Sequence, residues 1–126
     1  MPLPAVEIVP VRLLPEYWPT AKEILEPAFA RSNYTTDEVE ALLNTGVMQL
    51  WLSAGPVMVT ETYQDRMTIL LMAGGELTEY MQYFDAFSKI IKPWGFKQLE
   101  IVGRPGWQRF FKDKFKVEAV HLRRSL

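Results

Sequence analysis

No cysteine occurs in the sequence, so disulfide staples, thiolate metal ligands and a cysteine nucleophile are all excluded, and the hydrophobic core must hold the fold unaided. Histidine is represented only by His121, which leaves no ligand set for a structural zinc ion. No stretch approaches the length of a membrane span, and Met1 to Pro10 lacks the basic start and unbroken apolar run of a signal peptide. The expected location is a cytoplasm or the inside of a particle assembled there. A large charge imbalance is also missing: the formal net charge is −1, which argues against a chain that binds nucleic acid through its overall charge.

The 126 residues do contain ample apolar material, 48% hydrophobic and 13% aromatic, enough for one core and hence a single domain over 1–126. The charge is unevenly distributed. From Arg104 onward seven Lys or Arg face only Asp113 and Glu118, so this segment carries +5 and the remainder −6. Any anionic partner is expected at that end.

Periodicity divides the chain. Ala5 to Val11 reads as a first strand. Trp18, Ala21, Ile24, Leu25, Ala28 and Phe29 recur at helical spacing, with Pro19 acceptable in a first turn and Pro27 forcing a kink or break. Thr35 followed by Glu38 is a capping box ahead of Val39, Leu42 and Leu43. Alternation then predicts strands at Met48 to Ser53 and Val57 to Tyr63, and the apolar run Met67 to Met72 predicts a third, the three forming an antiparallel meander. After Gly74 and Gly75 the strongest helical stripe begins, with Leu77, Tyr80, Met81, Phe84, Phe87, Ile90 and Ile91 on one face, closed by Pro93 and Gly95. Leu99 to Val102 is a short buried strand, expected parallel to Met67–Met72. A turn at 103–106, a helix at 107–114 and a strand at 117–122 complete the string.

This order of elements resembles the GNAT (N-acetyltransferase) superfamily along essentially the whole chain, an α/β fold with a mixed sheet. The segment Leu99 to Trp107, LEIVGRPGW, is similar to small GNAT-like proteins of tailed bacteriophages and prophages. The resemblance implies an acetyl-CoA pyrophosphate bound on backbone N–H groups between the third meander strand and the long helix, here Ala73, Gly74 and Gly75. The parallel strands are expected to splay at the Gly74 end to admit the CoA arm. It also implies a general base for the substrate amine in the region of Glu61, whose alternative is a solvent-facing strand carboxylate.

Several residues depart from the family pattern. No basic residue opens the glycine loop, and Glu76 and Glu79 follow it; carboxylates suit an empty helix N-terminus and repel a pyrophosphate. Phe110 stands where active members often have a proton-donating Tyr, Gly103 where Asn is frequent, and Lys114 where Gly is frequent. His121 is expected to be structural, since no Ser or Cys partner is recognisable. The first expectation is therefore a phage-type protein, degenerate at the acetyl-CoA site, acting as a virion or assembly component. Its contacts would be with phage structural proteins or itself through Arg104, Arg109 and Lys112. The alternative is an acyl-CoA-dependent N-acetyltransferase with an atypical loop. Tyr80, Tyr83, Phe84 and Phe87 form an aromatic stripe that is either core or, if exposed, a protein interface.

Overall fold

The computed structural model describes residues 3–102. Its elements are β1 (Val6–Ile8), α1 (Leu14–Ile24), α2 (Glu26–Ala30), α3 (Thr36–Asn44), β2 (Met48–Ser53), β3 (Val57–Tyr63), β4 (Arg66–Ala73), α4 (Tyr80–Ile91) and β5 (Gln98–Ile101). Single 3-10 turns lie at Val11–Leu13, Leu77–Glu79 and Lys92–Trp94. The expected helix at 107–114 and strand at 117–122 lie outside the described residues, as do Gly103, Arg104, Arg109, Phe110, Lys112, Lys114 and His121.

The strands form one sheet in the order β1-β2-β3-β4-β5. The meander β2–β3–β4 is antiparallel as its alternation requires, and β4 pairs with β5 in parallel through Arg66–Gln98, Met67–Leu99, Thr68–Glu100 and Ile69–Ile101. A parallel return needs a crossover, and α4 supplies it. The fold class is thus the α/β mixed sheet that the sequence pattern specifies.

Two cores sandwich this sheet. On one side α4 lays Tyr80, Tyr83, Phe84, Phe87 and Ile91 over Trp51, Met58, Met67, Ile69 and Met72. All four members of the aromatic stripe are buried, so the stripe is core and forms no exposed interface. On the other side α1–α3 cover Leu50, Val57, Val59 and Leu71 with Trp18, Ala21, Leu25, Val39 and Leu43. Burying an aromatic or Leu side chain is worth about 1.5–3 kcal/mol, which makes these two faces the main source of stability.

Prolines shift the helix boundaries. The chain breaks at Leu25, two residues before Pro27, because Pro27 then falls in the first turn of α2, where its missing N–H is not needed. Pro15 takes the first-turn place in α1, and Pro19 lies inside that helix, one turn deeper than the sequence suggests. Thr35 caps α3 as expected: its hydroxyl oxygen accepts the Glu38 N–H at 3.1 Å and lies 3.2 Å from the Glu38 carboxylate. β1 is shorter than Ala5–Val11, though the Val9 N–H still reaches the Leu50 carbonyl at 2.8 Å; Pro10, without a donor, ends the ladder. At the other end of the meander Arg66 pairs with Tyr63 as part of β4, so the turn is only Gln64–Asp65, with Gln64 at φ +54°. Leu77 falls in the 3-10 turn before α4 and is exposed.

Candidate functional site

The strand β4 changes character at Leu70. Val59 faces Leu71 while Thr60 faces Ile69, so Leu70 is an extra residue, a β-bulge. Leu70 and Leu71 consequently pack toward the same α1–α3 core, whereas Ile69 and Met72 lie under α4. The described pairing with β5 runs to Ile69–Ile101, and the Val102 N–H, on the last described residue, bonds the Ile69 carbonyl at 2.9 Å. From Leu70 to Ala73 the outer edge of β4 meets no strand among the described residues.

At the far end of this edge lies the glycine loop. Gly74 and Gly75 hold φ of +93° and +68°, which glycine alone adopts without strain. A Cβ on Gly74 would approach Ile24 Cγ2 to 2.9 Å, and one on Gly75 would approach Gly55 Cα to 2.9 Å. The glycines are therefore required by the packing of the loop against α1 and the β2–β3 turn. Their presence is explained before any ligand is considered. Ala73 is buried on the helical side of the sheet, Gly75 and Glu76 are exposed, and Glu79 caps α4 without a side-chain hydrogen bond.

Glu61 lies on β3, paired with Met48 on one side and Thr68 on the other, next to the bulge of β4. It is half-buried on the α1–α3 face. Tyr34, in the turn between α2 and α3, comes into its field. Burial raises the Tyr34 phenol above its ordinary value of 10.0, and the charges of Glu61 and then Glu38 raise it further. The Tyr34 backbone is held by Ser32, whose hydroxyl oxygen accepts the Tyr34 N–H at 3.1 Å and lies 3.0 Å from the Phe29 carbonyl oxygen. The nearest strand cation is committed elsewhere: Arg66 pairs with Glu100 at 3.1 Å and stacks 5.4 Å from the Tyr63 ring. Among the described residues no cation neutralises Glu61.

The structure thus brings together Glu61 and the bulge, with Ala73–Gly75 farther along, at and just past the end of β4. Tyr34 lies in the fields of both Glu61 and Glu38, and it does not stand out in the sequence, because only the turn between α2 and α3 places it there. The partner residues Arg104, Arg109 and Lys112 fall outside the described residues. Among those described, no group of His, Asp or Glu could hold a metal ion, and no helix is long and apolar enough to cross a membrane. A groove of about 280 Å³ along the start of β2 is lined by Ile8, Val11, Leu43 and Met48 and contains no titratable side chain. It offers no chemistry.

Acetyl-CoA fits this arrangement in part. The exposed glycine turn suits a diphosphate through its backbone N–H groups, while Glu76 and Glu79 oppose the diphosphate charge.

No protein-family model and no curated protein sequence matches the chain. Solved structures do. Aminoglycoside N-acetyltransferase AAC(6')-Iy in complex with CoA superposes with a TM-score of 0.61 at 13% identity, over 96% of this chain and 93% of that one. Ribosomal-protein-alanine N-acetyltransferase from Brucella melitensis biovar Abortus 2308 gives 0.60 at 10% identity, over 97% and 96%. A predicted acetyltransferase from Clostridium acetobutylicum, solved with acetyl-CoA, gives 0.59 at 12% identity, over 96% and 95%. At such identities the likeness speaks for architecture alone, and the architecture is that of the GNAT acetyltransferases.

Proposed function

We propose that the protein is an acyl-CoA-dependent N-acyltransferase whose acceptor is a cationic amine and whose general base is Glu61. The observation that carries this reading is the position of Glu61, a half-buried carboxylate with no neutralising cation among the described residues, on β3 next to the bulge of β4. Glu38 adds a second negative charge close by. Such a field draws an ammonium ion and then accepts its proton. The free amine attacks the thioester carbonyl, the C–N bond forms, the C–S bond breaks and the thiol of CoA leaves. Acetyl-CoA supplies the activated acyl group. The chain's own parts hold the acceptor, remove its proton and present the β4 edge along which an acyl carrier would lie.

The test is thiol release from acetyl-CoA in the presence of a panel of primary amines. The parent should show amine-dependent release, and Glu61→Gln should lower kcat by about 10²–10⁴-fold, the usual contribution of a positioned base. Release that is insensitive to Glu61→Gln would remove Glu61 from the chemistry.

Glu76 and Glu79 favour a second reading. With carboxylates at the loop in place of a diphosphate, the domain would serve as a phage-type virion or assembly component through protein contacts. Lack of any amine-dependent thiol release, together with co-purification with virus particles, would support it.

A further inference from the structure

Two exposed apolar surfaces lie on opposite sides of the sheet, and each is flanked by charge of one sign. Trp94, in the turn that ends α4, is 54% exposed, although its ring rests on Trp51 with centroids 6.0 Å apart. The stretch from Ser88 to Leu99 holds Lys89, Lys92 and Lys97 and no acid. All three lysines are exposed, and none pairs with a carboxylate among the described residues. A helix C-terminus favours cations on its own account, which explains Lys89 and Lys92 but leaves the half-exposed tryptophan beside them unexplained.

On α1 the signs are reversed. Tyr17 and Ile24, each 39% exposed, stand seven residues apart and so share one row along the helix. Glu16 and Glu23 form the neighbouring row, Lys22 falls on its far side, and Glu26 follows at the start of α2. The three glutamates are exposed and have no cationic partner among the described residues. Seven residues of helix advance about 10 Å, so Tyr17 and Ile24, with the short Thr20 between them, leave a gap that an indole spans.

One molecule cannot join the two surfaces, because α1 and α4 cover opposite faces of the sheet. Two copies can. We propose that the chain self-associates head to tail, with Trp94 of one copy seated on α1 of the next between Tyr17 and Ile24, and Lys89, Lys92 and Lys97 opposite Glu16, Glu23 and Glu26. Burial of the apolar side chains supplies the attraction, while the charges set orientation and salt sensitivity more than affinity. Because two different patches meet, copies add into a ring or an open chain and do not pair across a twofold axis. The contact uses neither Glu61 nor an acyl carrier, so it stands apart from the function proposed above.

The test compares the full chain, Lys89→Glu/Lys92→Glu and Glu16→Lys/Glu23→Lys by sedimentation velocity over a concentration series. It is run at about 0.1 M and 1 M salt, where the screening length is about 10 Å and 3 Å. The parent should form species larger than a monomer, their share rising with concentration and falling in high salt. Each charge variant should keep the parent's circular dichroism and associate at least about tenfold more weakly, since like charges then face each other. Trp94→Ser should weaken association at both salt concentrations. An equal mixture of the two charge variants should recover the parent's association, because the unchanged α1 of one meets the unchanged Trp94 surface of the other. A parent that stays monomeric, a variant that associates as the parent does, or a mixture of weakened variants that stays apart would each overturn the proposal.

Discussion

Replacing Gly75 with alanine separates two reasons for a glycine, and the structure supplies its own control. Gly75 and Gly95 both have positive φ, +68° and +97°, so alanine at either position meets backbone strain of about 1–2 kcal/mol. Around Gly95 a Cβ finds nothing within 4 Å; at Gly75 it lies 2.9 Å from Gly55 Cα and 3.0 Å from the Gly55 carbonyl carbon. Those are backbone atoms and cannot swing aside, so an overpacking cost of about 1–3 kcal/mol adds to the strain. Gly95→Ala should therefore lose about 1–2 kcal/mol and Gly75→Ala about 2–5 kcal/mol. For a chain of this length each kcal/mol corresponds to about 4 °C in Tm. Reversible thermal unfolding without ligand, followed by circular dichroism, measures both. Equal losses at the two positions would refute the packing argument and return the glycine pair to a role reserved for ligand binding.

Other expectations follow from single contacts. Thr60 is fully buried and its hydroxyl links the Trp51 Nε1–H and the Gln49 side-chain carbonyl, each at 2.9 Å, so Thr60→Val should destabilise by about 1–3 kcal/mol in denaturant unfolding, with Thr60→Ser keeping the bonds and losing less. Thr35→Ala removes the cap of α3 and should cost about 1 kcal/mol by the same assay. The Tyr34 phenol is raised, so the folded state holds that proton more tightly than the unfolded chain; its contribution to stability is complete below pH 10 and is lost as pH rises through the higher folded value. Glu61→Gln should lower the Tyr34 titration, read by NMR of ring-labelled tyrosine, while leaving part of the rise that burial causes.

The legible parts of the sequence were those with a strong local period or a local cap. Met48 to Ser53 and Val57 to Tyr63 were legible as strands from their period of two, and Thr35–Glu38 states the start of α3 outright. The parallel pair followed from the length of the crossover between Met72 and Leu99. Glu61 was singled out only by what the family resemblance implies for that strand. What could not be read depends on contacts between distant residues. The extra residue at Leu70 sits within an unbroken apolar run, where no alternation marks a change of face. Nothing in the sequence marks Gly55, between β2 and β3, as the residue against which Tyr83 and the Gly74–Gly75 loop pack. Tyr34 carries no motif, since only the packing of α2 and α3 against the sheet brings it within reach of Glu61. The break at Leu25 was placed at Pro27 because a proline announces where a helix cannot continue, and the chain avoids the clash by ending one helix earlier and starting another.

Titration of the purified protein with acetyl-CoA, by calorimetry and by thermal shift, tests the central claim most directly. A site with micromolar affinity gains about 4 kcal/mol at a thousandfold ligand excess, following RT ln(1 + [L]/Kd). The account predicts saturable heat and a rise in Tm of several degrees at about millimolar acetyl-CoA. No heat and an unchanged Tm at that concentration would contradict it, leaving a GNAT-fold domain without an acyl carrier.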